Sequence, residues 1–197
     1  MDNKAKYVAK VGILAAAAAI VMLLEFPLAF VAPPFYKLNL SECVILIGGF
    51  ALGPLAAALT ELLKNLINLL INGTTTGGVG ELGNFLIGCA FTVPAAFIYK
   101  YNQSKKGAVA AMGVGTLSQA VIGGAINYFV LVPVYAQVYV GGDMSTIIGM
   151  GTAIFPWIDN LFEFVLYCTV PFNIIKGVLS SLICYILYKR VSPILHI

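Results

Sequence analysis

The sequence predicts an all-α integral membrane protein with six transmembrane helices, forming a single membrane domain over residues 1–197. Of its 197 residues, 60% are hydrophobic and only 10% are charged, whereas about a quarter of the residues in a typical soluble domain are charged. The mean hydropathy is +0.97. The apolar residues form long runs without regular polar alternation, which favours spanning helices over a membrane β-barrel.

Polar, glycine and proline residues separate the apolar runs into six segments. The second segment is short and ends in a glycine-rich stretch before Pro54, a residue that the first turn of a helix tolerates. The predicted spans are about 8–29, 40–53, 54–72, 81–101, 107–134 and 161–190. The outer loops are then 30–39, 73–80 and 135–160. The last loop is long enough to be a binding loop, although a passive connector is the alternative.

Basic residues indicate the orientation of these spans. Eight of the 11 Lys and Arg residues flank span ends on one side of the predicted membrane, and Lys37 lies on the other. The positive-inside rule assigns the basic side to the cytoplasm, so both termini are expected there. The basic N-terminus followed by an apolar run also resembles a signal peptide. We favour a retained helix, because the apolar stretch continues past Glu25 and no polar mature domain follows.

The sixth span contains a lysine in a strongly apolar setting. Lys176 shares one helical face with Asn173 and Ser180. A charge at mid-bilayer costs roughly 2.5–3.5 kcal/mol on insertion scales, so it usually faces a cavity or a partner. We therefore expect Lys176 to face a ligand, with snorkelling to the outer surface as the alternative.

The third span carries a polar stripe that recurs every three or four residues. Glu61 and Lys64 can neutralise each other, and Asn65, Asn68 and Asn72 continue the stripe. Such a stripe can hold helices together through hydrogen bonds. The same ion pair could instead serve as a proton or ion relay.

Two further features indicate a ligand site. Asn127 lies within the fifth span, where it could bond another helix or supply a donor and an acceptor to a ligand. The stretch from Gly78 to Gly83 fits G-x-G-x-x-G, but no strand precedes it, so it is not a dinucleotide motif. It is better interpreted as a flexible outer loop leading into span four, with Glu81 and Asn84 near its mouth, where glycines let the backbone approach a ligand closely.

Other classes of function lack the residues they require. Four cysteines lie in apolar runs without C-x-x-C spacing, and His196 is the single histidine, so neither a metal site nor an enzyme is expected. The net charge of +3 is small, and we expect no nucleic-acid partner. In span one, Gly12, Ala15 and Ala19 form a small-residue pattern that lets another helix approach closely.

Five blocks of the sequence, in order, resemble the substrate-binding S components of energy-coupling factor (ECF) vitamin transporters, most closely those for riboflavin. The blocks are LLEFPL, GGFALGPLAAALTELLKNLINLLI, TGGVGELGNFLIG, AINYFVLVPVY and PFNIIKG. The resemblance implies a six-helix fold in a prokaryotic cell membrane that captures vitamin from outside. It also implies delivery through a transmembrane coupling subunit with two ATPases. No cofactor is expected, because riboflavin is the transported ligand.

The resemblance also implies roles for individual residues. The expected vitamin contacts lie in the NYF, PFN-x-x-K and GELGNF blocks, and they are Asn127, Asn173, Lys176, Glu81 and Asn84. In the last of these blocks, Gly83 stands where members of the family often have alanine. Backbone approach is expected at Val79 and Gly80, and we expect Phe35, Tyr36 and Leu38 of the first outer loop to form the wall of a slot. Ala15 and Ala19, with Gly12 nearby, are expected to face the coupling subunit.

Three alternatives to a riboflavin S component remain open. The chain could be an S component for another vitamin, a permease or channel that uses an ion gradient by itself, or a membrane scaffold that transports nothing. Uptake that depends on ATP and needs co-expressed ATPases would distinguish an S component from a permease. A scaffold would bind no flavin.

Overall fold

The computed structural model describes the backbone of residues 3–195 and the side chains of residues 4–188. His196 therefore lies outside the described residues, as do the side chains of Lys189 and Arg190. The helices are α1 Asn3–Leu23, α2 Glu42–Leu52, α3 Pro54–Asn72, α4 Val79–Tyr101, α5 Lys105–Ile126, α6 Val132–Val140, α7 Met144–Thr152, α8 Leu161–Phe164 and α9 Val170–Leu195. Two π-helical segments, Asn127–Leu131 and Val165–Thr169, join α5 to α6 and α8 to α9.

The expected six-helix membrane architecture is confirmed, with one helix of half length. Within the described residues, five stretches are long and apolar enough to cross a membrane: Lys4–Leu23, Pro54–Asn72, Val79–Tyr101, Lys105–Val140 and Leu161–Tyr188. The sixth is α2, whose 11 residues rise about 16 Å at helical pitch. Because a bilayer core is roughly 30 Å thick and α3, which follows at Pro54, is long enough to cross it, α2 begins within the membrane, and the chain turns at Gly53, whose φ of 97° favours glycine.

The loops connecting the helices differ from their predicted bounds at one end of the bundle. Helix α1 ends at Leu23, because the chain then forms a two-stranded antiparallel hairpin of β1 Phe26–Pro27 and β2 Lys37–Leu38. The fifth span continues to Val140, so the predicted loop 135–160 begins with helix and also contains α7. Pro133 does not end the span, because it lies in the first turn after a π-helical segment. We call the end of the bundle that carries this hairpin the hairpin face.

Helix α1 packs its small residues into the bundle. Ala15 is 1% exposed and Ala19 is 3% exposed, on the side of α1 that packs against α2 and α3. The chain's own helices cover these two alanines, and their contact with a coupling subunit stays a prediction. Gly12 is exposed, with no atom within 4 Å of the position of a Cβ.

Helices α4 and α5 approach each other closely at Gly115, which has no side chain to separate them. A Cβ at Gly115 would lie 2.6 Å from the carbonyl oxygen of Phe91 and 3.1 Å from Cβ of Ala95. The backbone oxygen cannot rotate away, so any side chain here would separate the two helices.

We therefore expect Gly115→Ala to lower the free energy of unfolding by about 1–3 kcal/mol, the usual cost of overpacking. Gly113→Ala on the same helix is the matched control, since nothing lies within 4 Å of its Cβ position. Thermal unfolding of both purified variants in detergent measures the difference. Equal stability of the two variants would contradict the close approach of α4 and α5.

Candidate ligand-binding site

A cavity of about 230 Å³ opens at the hairpin face, between the first loop and helices α3, α4, α6 and α9. Eight of the ten predicted ligand contacts line it: Phe35, Tyr36, Gly80, Glu81, Asn84, Asn127, Asn173 and Lys176. Leu38 does not, because it is 1% exposed and packs in the apolar core beneath the hairpin. Val79 is also absent from the cavity wall, at the first position of α4.

The lysine of the sixth span lies at the floor of this cavity and is paired with a carboxylate. Lys176 is 6% exposed, and its Nζ lies 2.9 Å from Oε1 of Glu42 in the first turn of α2. The same Glu42 oxygen lies 3.4 Å from Nζ of Lys64. Lys64 also pairs with Glu61, as the sequence analysis proposed. We call these four residues, which hold two positive and two negative charges, the charge cluster.

A polar shell connects the charge cluster to the cavity. Ser41 Oγ accepts a hydrogen bond from Lys64 Nζ at 3.3 Å and donates one to Asn39 Oδ1 at 2.7 Å. On the other side, Asn65 Nδ2 donates to Glu61 Oε1 at 3.3 Å, and Asn84 Nδ2 donates to Asn65 Oδ1 at 3.0 Å. Buried charges are tolerated when they are paired and hydrogen-bonded in this way.

The Asn127 carboxamide is held by the first loop and by its own helix. Tyr36 donates its phenol hydrogen to Asn127 Oδ1 at 2.8 Å, and Asn127 Nδ2 donates to the Gly123 carbonyl at 2.7 Å. The phenol oxygen also lies 2.8 Å from Oγ1 of Thr169. Asn127 is only 2% exposed, yet it lines the cavity.

Asn173 contributes an unpaired donor to the same region. Its Nδ2 is buried without a hydrogen-bond partner among the described residues, and the residue lines the cavity. A Cβ at Gly123 would lie 2.7 Å from this nitrogen, so glycine on α5 provides the room for the amide. A buried donor without a partner is rare in native proteins and indicates a water molecule or a ligand.

The rim of the cavity is acidic. Glu81 Oε2 accepts a hydrogen bond from Thr74 Oγ1 at 2.9 Å, and Thr76 Oγ1 lies 3.5 Å from the same oxygen. Across the cavity, Lys37 pairs with Glu25 at 2.7 Å. Glu81 has no lysine or arginine within ion-pair distance in the part of the chain whose side chains are described.

Sequence reasoning missed Glu42, Ser41, Asn39 and Thr169. Glu42 directly precedes an apolar run, and its local sequence indicates the start of a helix near the membrane surface. One signal was available: a helix too short to span places its first turn at membrane depth, and an acidic residue there needs a buried cation. In residues 4–188, no group of three or more His, Cys, Asp and Glu side chains is arranged to hold a metal ion.

Comparisons with known proteins agree with this architecture. A family model described as ECF transporter, substrate-specific component, matches residues 6–188. Riboflavin transporter RibU of Staphylococcus aureus (strain TCH60) is 31% identical over 185 residues, covering 94% of this chain and 89% of that protein. Riboflavin transporter FmnP of Bacillus subtilis (strain 168) is 28% identical over 191 residues, covering 96% and 94%.

A solved structure agrees as well. It is described as the S component of a bacterial ECF transporter, and it superposes with a TM-score of 0.76 at 30% identity, covering 98% of this chain and 99% of that one. The family predicted from the sequence blocks is confirmed, and its matched relatives are transporters rather than enzymes. The chain belongs to the family of substrate-specific components of ECF transporters.

Proposed function

We propose that this chain captures riboflavin at the hairpin face and delivers it to the cell through an ECF coupling subunit with two ATPases. The observation that carries this proposal is the arrangement of hydrogen-bond donors in the cavity. Asn127, Asn173 and Lys176 line one wall, and aromatic rings line another, with Phe35 and Tyr135 5.3 Å apart between centroids. Two matched relatives are named riboflavin transporters.

The chemistry of riboflavin suits such a cavity. The vitamin is neutral, with a flat aromatic ring system, one amide-like edge and a chain of hydroxyl groups. A ligand of this kind needs an apolar slot and a few placed polar groups. We assign the amide-like edge to the donors of Asn127, Asn173 and Lys176, and the hydroxyl chain to Glu81 and Asn84 at the rim. Riboflavin is then cargo, not a cofactor.

The orientation in the membrane follows from the same proposal. The cavity opens at the hairpin face, whereas Lys4, Lys6, Lys10, Lys105 and Lys106 lie at the ends of α1 and α5 remote from the hairpin. By the positive-inside rule, those lysines would lie in the cytoplasm, with both termini. The cavity would then open to the outside of a prokaryotic cell.

An uptake assay in bacteria that lack their own flavin uptake tests this function. We expect riboflavin to accumulate when the chain is co-expressed with a coupling subunit and its ATPases, and not when the chain is expressed alone or with inactive ATPases. Uptake by the chain alone that stops when an ionophore removes the ion gradient would contradict the proposal. That result would favour a permease that uses the buried Glu61 and Lys64 as a relay.

The charge around the cavity predicts a preference for a neutral ligand. Glu25 is paired with Lys37, and the charge cluster holds two charges of each sign, so Glu81 leaves one uncompensated negative charge on the cavity wall. We expect riboflavin 5′-phosphate to bind more weakly than riboflavin, because its phosphate is repelled by this charge. Competition titrations of the purified chain measure the ratio of the two dissociation constants.

Removing the unpaired carboxylate tests the cause of that preference. We expect Glu81→Gln to reduce the ratio of the dissociation constant for riboflavin 5′-phosphate to that for riboflavin about 3- to 10-fold. This is the effect of one charge at close range near a protein surface. Asp159→Asn, which removes an exposed carboxylate outside the cavity wall, is the matched control. A ratio that is the same in Glu81→Gln as in the control would exclude Glu81 as the source of the preference.

A further inference from the structure

Two hydrogen bonds connect Tyr36 of the first loop to both π-helical segments, and a third joins one of these segments to α5. Thr169 Oγ1 lies 2.8 Å from the Tyr36 phenol oxygen, which lies 2.8 Å from Asn127 Oδ1. Asn127 Nδ2 then lies 2.7 Å from the Gly123 carbonyl oxygen. Thr169, Tyr36 and Asn127 are 0%, 8% and 2% exposed, so water does not compete strongly for these bonds.

The direction of each of these three hydrogen bonds is determined by the groups that form it. A backbone carbonyl can only accept, so the amide nitrogen of Asn127 must face Gly123 and its oxygen must face Tyr36. The phenol has one hydrogen, which it donates to that oxygen, so Thr169 must donate to Tyr36. Burial raises the pKa of Tyr36 well above its ordinary value, so the phenol keeps its hydrogen at physiological pH.

Thr169 forms a different hydrogen bond from Thr92 and Thr116, two other buried threonines of this bundle. A threonine inside a helix commonly donates to the carbonyl four residues earlier, as Thr92 does to Gly88 and Thr116 does to Met112, each at 2.9 Å. Thr169 instead bonds to a loop residue. It is the last residue of one π-helical segment, and Asn127 is the first of the other. Single π-helical turns within α-helices are frequent at functional sites.

The amide that results has one hydrogen left to offer. Asn127 Nδ2 uses one hydrogen on Gly123, and its second is free to point into the cavity. Asn173 Nδ2 is an unpaired donor nearby, and Lys176 carries donors only. This wall of the cavity therefore presents three donors, which suit a ligand edge made of acceptors, such as the carbonyl oxygens and ring nitrogens of riboflavin.

We propose that Tyr36 and Thr169 are positioning residues that orient the Asn127 carboxamide, so that Asn127 acts as a donor to the acceptor edge of the ligand. This inference rests on the proposed function for the identity of the ligand. It assigns Thr169, which lies behind the cavity wall, a role in ligand specificity. It also gives Tyr36 a role beyond forming part of the slot.

Riboflavin titrations of the purified full chain test this proposal. We expect Tyr36→Phe, which keeps the ring and removes the hydroxyl, to raise the dissociation constant about 3- to 10-fold, the usual effect of losing one hydrogen bond. Thr169→Val should raise it less, and Thr169→Ser should restore it. Tyr167→Phe is the matched control, because this tyrosine is 40% exposed and lies two residues from Thr169, outside the cavity wall.

Two further readouts separate positioning from a purely structural role. The visible absorption band of bound riboflavin should shift in Tyr36→Phe relative to wild type, because the hydrogen bonds to the ring edge change, while binding still saturates at one flavin per chain. The double variant Tyr36→Phe/Thr169→Val should bind riboflavin no more weakly than Tyr36→Phe, because both changes interrupt the same series of hydrogen bonds to Asn127.

Defined outcomes would overturn the proposal. An unchanged dissociation constant and absorption band in Tyr36→Phe, with wild type binding riboflavin, would overturn this inference alone. Losses that multiply in the double variant would show that the two residues act separately and would also overturn it. A folded wild-type chain that binds no riboflavin would overturn the proposed function together with this inference.

Discussion

Lys176→Met is expected to weaken riboflavin binding by about 10- to 100-fold while the chain still folds. The substitution keeps an unbranched apolar stem and removes the ammonium group at the cavity floor. A hydrogen bond from a charged donor contributes about 1.5–3 kcal/mol, and each 1.4 kcal/mol changes affinity about tenfold. Glu42 would keep Lys64 as a cation, 3.4 Å away, which limits the loss of stability. Isothermal titration calorimetry or fluorescence titration in detergent measures the affinity for riboflavin.

A control variant is needed because any lysine substitution changes the net charge of the protein. Lys100→Met removes an exposed lysine at the end of α4 remote from the hairpin, and it should bind riboflavin as wild type does. Wild-type affinity in a well-folded Lys176→Met variant would reject the role of Lys176 as a ligand donor.

Glu42→Gln is expected to have the largest effect on stability in this chain. It would leave the two ammonium groups of Lys64 and Lys176 with Glu61 as the single carboxylate of the charge cluster. Removing one partner of a buried ion pair costs about 3–5 kcal/mol, because a charge stays buried without compensation. Thermal unfolding in detergent measures this loss, and Glu163→Gln, outside the cavity wall, serves as the control.

The double variant Glu42→Gln/Lys176→Met tests whether charge balance is the cause. It removes one charge of each sign and leaves the pair of Glu61 and Lys64 intact. We therefore expect it to unfold at a higher temperature than Glu42→Gln, although its affinity for riboflavin should stay low because Lys176 is absent. A double variant that is less stable than Glu42→Gln would show that charge balance does not explain the effect.

Features that repeat along one helix could be predicted from the sequence. The face shared by Asn173, Lys176 and Ser180 follows from helical periodicity alone, and the structure buries all three. The pair of Glu61 and Lys64 could be identified in the same way, since the two residues lie one turn apart. Helix α3 begins and ends at the predicted residues, because Pro54 and Gly73 mark its ends.

Features that depend on contacts between distant segments could not be predicted. Glu42 is the counter-charge of Lys176 from 134 positions away in the chain, and no local pattern connects them. The bond between Tyr36 and Thr169 joins a loop to a π-helical segment, and no residue preference indicates such a segment in advance. Ala15 and Ala19 show that a local pattern can be recognised without identifying what it contacts, because a small-residue pattern fits a neighbouring helix of the same chain as well as a partner subunit.

The measurement to make is a riboflavin titration of the chain purified alone in detergent, with its visible absorption and flavin fluorescence recorded beforehand. We expect a yellow preparation, or quenching of riboflavin fluorescence that saturates at one flavin per chain. Such a result would establish riboflavin as the ligand of the cavity lined by Asn127, Asn173 and Lys176. A monodisperse sample with no bound flavin and no quenching would contradict it and would favour another vitamin as the ligand.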